Sequence, residues 1–163
     1  MLDILEQVET ELPKLLTSDE GWQSLNINYH PPFVERVVRS WGDFRISLHR
    51  IFPCESSEAL FHPHPWPSAM HILSGVYEMA VGYGPGDQPP PHAAKLIVSG
   101  DMKYEMTHPD AWHYVRPIDE PAMTLMITGQ PWERWSPGSD KLFSPLAPKV
   151  QEEIMDFFRD RFC

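Results

Sequence analysis

The chain has 163 residues, 42% hydrophobic and 22% charged, a globular composition that fits one domain, 1–163. Its formal net charge of −10 disfavours phosphate backbones and anionic lipid, so neither nucleic acid nor membrane is an expected partner. Two cysteines, Cys54 and Cys163, the lack of a basic-then-apolar leader and the lack of an apolar run of about 18 residues fit a cytoplasmic location. A chain this long buries a core without disulfides or a structural metal, so a metal site in it would serve function.

Residues 1–30 read as an N-terminal helical segment. Within it, residues 3–16 read as a helix with Leu2, Leu5, Val8, Leu12, Leu15 and Leu16 near helical spacing, Pro13 is expected to kink or split it, and Asp19-Glu20-Gly21 reads as the turn that follows. From residue 33 the period changes to two. Val34, Arg36 and Val38 alternate with Glu35, Val37 and Arg39. Phe44, Ile46 and Leu48 alternate with Arg45, Ser47 and His49, with Gly42-Asp43 as the turn. Further strands are predicted at 69–74, 76–83, 93–98, 102–106, 113–118 and 122–128, which makes 33–128 a β-barrel or sandwich. The 18 prolines, about twice the usual share of roughly 5%, cluster in short groups between these strands, as turn residues do. Residues 130–148 read as an irregular wrap, with Trp132 and Trp135 packing onto the barrel. Residues 149–162 form a predicted amphipathic helix with Val150, Ile154, Phe157, Phe158 and Phe162 on one face.

The chemistry-bearing segment is His62-Pro63-His64-Pro65-Trp66-Pro67-Ser68. Two histidines one residue apart on a strand share a face, and two imidazoles side by side chelate one metal ion. Pro63, Pro65 and Pro67 withhold their N–H groups on one side, so this strand is expected at a sheet edge or opening. A lone H-x-H among eight histidines is weak. Its context is stronger. Gly75 closes the segment, Gly100-Asp101 opens another, and His113 follows His64 by 49 residues.

This pattern resembles the two signature motifs of the cupin superfamily over about residues 44–128. His62, His64 and Gly75 match the first motif, and Gly100 and His113 match the second. The resemblance implies an all-β double-stranded β-helix, a jelly-roll barrel, flanked by N-terminal helices and one C-terminal helix. It also implies one divalent metal ion on His62, His64 and His113. The usual cupin glutamate is absent, because Ser68 or Ala69 stands there. A set of three neutral ligands resembles the thiol dioxygenases, the cysteine dioxygenase-like branch. In that branch an arginine strand holds the substrate carboxylate, and Arg36 in Pro32-Phe33-Val34-Glu35-Arg36-Val37-Val38 matches it, while Arg39 faces the other way. The branch's outer His and Tyr fall on Met126 and Thr128 here, and its cross-linking cysteine is missing.

The resemblance therefore implies a mononuclear non-haem iron oxidoreductase of dioxygenase type acting on a small anionic substrate. Fe(II) is favoured, with zinc, nickel or manganese as other metals that such a site takes. A non-catalytic metal- or ligand-binding cupin is the alternative, and an isomerase-type barrel with vestigial histidines is a third. Barrels of this type often pair, so a homodimer is a further expectation. Glu78, three residues after Gly75, is a candidate base or else a sheet-pairing residue. His71 is a candidate fourth ligand, although a register fixed by Gly75 turns Ser68 inward and His71 away. Trp66, Trp112, Tyr77, Tyr83 and Tyr104 are candidates for the pocket wall or the core.

Overall fold

Leu5, Val8 and Leu12 recur at helical spacing and are fully buried, and they form the inner stripe of helix α1, Leu2–Leu15. These elements come from a computed structural model that describes residues 1–133 and 141–163. Pro13 does not split α1. It lies in the last turn, where it deletes only the bond its own N–H would make back to Glu9.

The helix ends one residue short of the expected 3–16, and the rest of the N-terminal segment is not helical. Gly21, at φ +82°, turns the chain into strand β1, Gln23–Ile27. Leu25 and Ile27 alternate with Ser24 and Asn26, a two-residue period that suits a strand and puts both apolar side chains on the cavity side.

The chain then forms β2 (Val34–Trp41), β3 (Phe44–Ile51), β4 (His62–Pro63), β5 (Ser68–Ser74) and β6 (Val76–Tyr83). It continues with β7 (Ala94–Ser99), β8 (Lys103–Met106), β9 (Ala111–Pro117), β10 (Ala122–Thr128) and α2 (Pro148–Phe162). The strands make two antiparallel sheets, one in the order β1-β2-β3-β10-β5-β8 and one in the order β4-β9-β6-β7. This is the double-stranded β-helix of the cupin type, with a helix at each end of the chain. Of the wrap expected over 130–148, the described part is irregular and is tied to the barrel by the Asn26–Ser144 bridge, by the Trp132 N–H on the Pro65 carbonyl and by the Leu146 N–H on the Ser24 hydroxyl. Trp135 lies outside the described residues.

The period of two divides the larger sheet between two jobs. Ile46, Leu48, Leu125 and Ile127 point outward and pack under α1 and α2 with Ile154 and Phe158. The residues between them, Arg45, His49, Thr124 and Met126, point inward to a cavity between the sheets. The main hydrophobic cluster thus sits behind the larger sheet, and the space within the barrel is walled by apolar side chains with a few polar ones among them.

Gly75 joins β5 to β6 at φ +89°, and a Cβ there would lie 2.7 Å from the Ala122 Cβ. Both the backbone and the space demand glycine. Gly75→Ala is therefore expected to cost about 2 kcal/mol of stability, read as a lower midpoint in thermal or urea unfolding. An unchanged midpoint would contradict this account.

Candidate metal centre

β4 is an edge strand paired only with β9, in the register His62 to His113 and Pro63 to Trp112. Beyond its end, the His64 N–H still donates to the Ala111 carbonyl at 3.3 Å. The prolines thus leave their donor-less side at the edge, and the histidine N–H groups serve the β9 side. That arrangement brings His62, His64 and His113 together from two separate stretches of chain. The His113 ring centroid lies 4.9 Å from that of His62 and 4.9 Å from that of His64, and the His62 and His64 rings are 6.3 Å apart.

Imidazoles bound to one ion through nitrogens at about 2.1 Å place their centroids roughly 5 Å apart. Two of the three separations already match that figure. The third is wider, so no three His, Cys, Asp or Glu side chains among the described residues are yet closed around a point. One ring of the His62–His64 pair must turn inward for all three to share an ion.

The hydrogen bonds suit such a role. His62 Nδ1 lies 2.8 Å from the Leu60 carbonyl, and His64 Nδ1 lies 3.2 Å from the Trp66 carbonyl and 2.9 Å from the Ser68 hydroxyl. A carbonyl only accepts, so each Nδ1 carries the proton and each Nε2 keeps a lone pair. His113 Nδ1 is buried without a hydrogen-bond partner. Burial also keeps the rings neutral. Desolvation pushes His62 down to about 4 and His64 down to about 3, and it holds His113 well below its usual value. Neutral imidazole is the form that binds metal. The residues present fit a divalent ion.

The rings border a cavity of about 640 Å³. Trp66, Tyr77, Tyr104 and Trp132 help wall it, whereas Trp112 packs behind the sheet with its indole N–H on the Gly84 carbonyl and Tyr83 is exposed. Arg36 points into this space and Arg39 away from it, the latter donating to the Leu15 and Glu20 carbonyls. Arg36 Nε is buried without a partner, and burial lowers the guanidinium to about 10, which leaves it charged at neutral pH.

Glu78 is not at this site. Tyr77 faces the cavity and the next residue of β6 faces the opposite side, where Arg116, Tyr114 and Ser56 all donate to the Glu78 carboxylate. Those bonds, Arg116 first, hold it down to about 2. It is a sheet-pairing ion, and no such group serves as a base at neutral pH. His71 also lies outside the cavity, on the helix side of β5, with Nδ1 2.5 Å from Glu9 Oε1.

Sequence reading missed His49. It carries no motif spacing, yet it is 4% exposed, lines the cavity and pairs across strands with Arg36. Its Nε2 is buried without a partner, and burial holds its pKa well below the ordinary value. The available signal was the alternation along β3, which puts His49 on the same face as Ser47 and Arg45.

No protein-family model matches the sequence, and no curated protein matches it. Solved structures do. The hydroxypropylphosphonic acid epoxidase from S. wedmorenis aligns with a TM-score of 0.54 at 8% identity, over 68% of this chain and 56% of its own. Its Fe(II) form with the alternative substrate (S)-1-HPP gives 0.55 at 8% identity, over 68% and 57%. A further Fe(II) complex with substrate gives 0.53 at 10% identity, over the same shares. This chain thus spans little more than half the length of that enzyme, and at such identity the likeness concerns the fold. Together with the two antiparallel sheets and their flanking helices, it places the chain among cupin-type barrels.

Proposed function

We propose that this protein is a metal-dependent oxidoreductase that binds one divalent ion on His62, His64 and His113 and acts on a small anionic substrate. The observation that carries this reading is the meeting of three neutral imidazoles with the unpaired Arg36 cation in one cavity. The bound ion would supply Lewis acidity and, as iron(II), dioxygen chemistry. Iron is favoured because imidazole suits it and because the structurally similar epoxidase is described with Fe(II). Zinc, nickel and manganese are the other candidates.

The chain's own contribution is orientation and exclusion of water. Arg36 offers a two-pronged hydrogen bond to an anionic oxygen. Met70, Tyr104 and Met126 give an apolar wall on the far side. The nearest family reading is the thiol dioxygenase branch, supported by the missing glutamate at Ser68 and by Arg36 on β2. Met126 and Thr128, in place of that branch's His and Tyr, count against cysteine as the substrate.

Metal analysis of protein purified without added metal is the first test. The second is oxygen uptake after anaerobic mixing of the iron(II) protein with thiols, diketones and small carboxylic acids. No uptake above buffer with any of them would sink the oxygenase reading. Arg36→Gln is expected to raise the KM or Kd for an acidic substrate about 10- to 100-fold while leaving metal content unchanged, measured by titration and metal analysis on the same sample.

The second reading is a metal- or ligand-binding cupin without turnover. One observation favours it: no Asp or Glu lines the cavity among the described residues, so no carboxylate is at hand to move a proton. Tight binding without product in the same assays would decide for it.

A further inference from the structure

The seven described arginines sort by partner. Arg50 and Arg116 each pair with a carboxylate, as do Arg159 and Arg161 on α2. Arg39 donates to two carbonyls and lies over the Trp22 ring. Arg36 and Arg45 have no hydrogen-bond or ion-pair partner among the described residues, and both line the cavity. Acidic residues outnumber basic ones by 23 to 13 in this chain, so the buried, unpaired Arg36 facing a carboxylate-free space calls for an anionic partner from outside, and the exposed Arg45 offers a second cation on the same wall.

The two cations sit at different depths. Arg36 is half-buried and pairs across strands with His49, while Arg45 is exposed and pairs with Ser40, four residues further along β2. At roughly 3.3 Å per residue their backbones are about 13 Å apart on the same face. Two buried atoms beside the inner position lack partners, Arg36 Nε and His49 Nε2. An acid group that accepts from the guanidinium N–H and from an imidazole N–H would supply the missing partners.

We propose that the cavity takes a small acid with two anionic ends, one held by Arg36 and His49 on the floor and the other by Arg45 at the mouth. This rests on the reading of the cavity as a small-anion site and adds the second charge and the role of His49. The histidine trio lies across the cavity from this row, so the middle of such a molecule would pass the candidate metal position.

The test uses the full chain, treated with chelator, at neutral pH and low salt. Butyrate, succinate, glutarate, adipate and inorganic phosphate are titrated by calorimetry. The best diacid is expected to bind about tenfold more tightly than butyrate or phosphate. Arg45→Gln should bring that diacid down to the butyrate level, and Arg45→Lys, which keeps the charge, should retain part of the preference. His49→Phe should weaken the diacid and butyrate alike. Butyrate matching every diacid, phosphate matching the best of them, or a preference untouched by Arg45→Gln would each overturn the proposal. Because the titrations contain no metal, the two-ended acid can fail while His62, His64 and His113 still take up an ion, and the reverse outcome is equally readable.

Discussion

Alanine in place of His113 is expected to lower divalent-metal affinity by about 100-fold or more and to erase metal-dependent stabilisation of the fold. His113 stands between the other two rings at 4.9 Å from each, so its loss leaves the two that are farthest apart, at 6.3 Å. Two imidazoles at that spacing make a poor chelate, and the released nitrogen is replaced by nothing. For the unaltered chain, an ion at 100 times its Kd adds about 2.7 kcal/mol to unfolding free energy. In a chain of this size that is a rise of several degrees in melting temperature. His113→Ala should show no such rise under the same conditions. His71→Ala is the control, since His71 meets Glu9 on the helix side of β5 and should leave metal uptake intact. Melting curves with and without iron(II), zinc and nickel, together with metal analysis, read both variants. Full metal uptake by His113→Ala would remove the candidate centre altogether.

Much of the barrel was legible because a period of two survives in the sequence wherever one sheet face meets the helices. Ile46 and Leu48 alternate with Arg45 and His49, and the structure turns the first pair to α1 and α2 and the second to the cavity. The alternating prolines identified β4 as an edge for a reason that is purely chemical, the missing donors. β1 was hidden because its five residues follow a leucine-rich helix and only Leu25 and Ile27 carry the pattern. Counting from Gly75 left Glu78 open between a base and a sheet-pairing residue, and its neighbour Tyr77 decides for the second: adjacent residues of a strand never share a face. His49 was invisible for the opposite reason. Its partner Arg36 is on another strand, and cross-strand register cannot be read from one strand's spacing. The trio itself was legible because its members recur in a two-part motif, but the 6.3 Å gap between His62 and His64 depends on ring rotation, which no sequence encodes.

The metal-free protein is expected to lose stability steeply between pH 6.5 and about 4. The cause is the set of histidines buried in neutral form, His49, His62, His64 and His113, whose pKa values are lowered chiefly by desolvation. In the unfolded chain each of them takes up its proton near pH 6.5. In the folded chain His62 does so only near 4 and His64 near 3. Across that window the unfolded state binds more protons than the native one, so stability falls as pH falls, and it levels off only below the folded values. Each such histidine adds roughly 1 kcal/mol per pH unit to the slope, so four of them acting together approach the whole stability of an ordinary domain within two units. Glu78 does not confuse the measurement, since its lowered pKa contributes only as pH drops from its ordinary value toward about 2. Urea unfolding in chelator at pH 7, 6 and 5 gives the slope directly. His49→Phe, which keeps the ring's bulk and removes one titrating site, should make it shallower by one proton. A stability that is flat from pH 7 to pH 5 would mean that these rings are hydrated in the folded protein, and the neutral, lone-pair-bearing cluster on which metal binding depends would lose its physical basis.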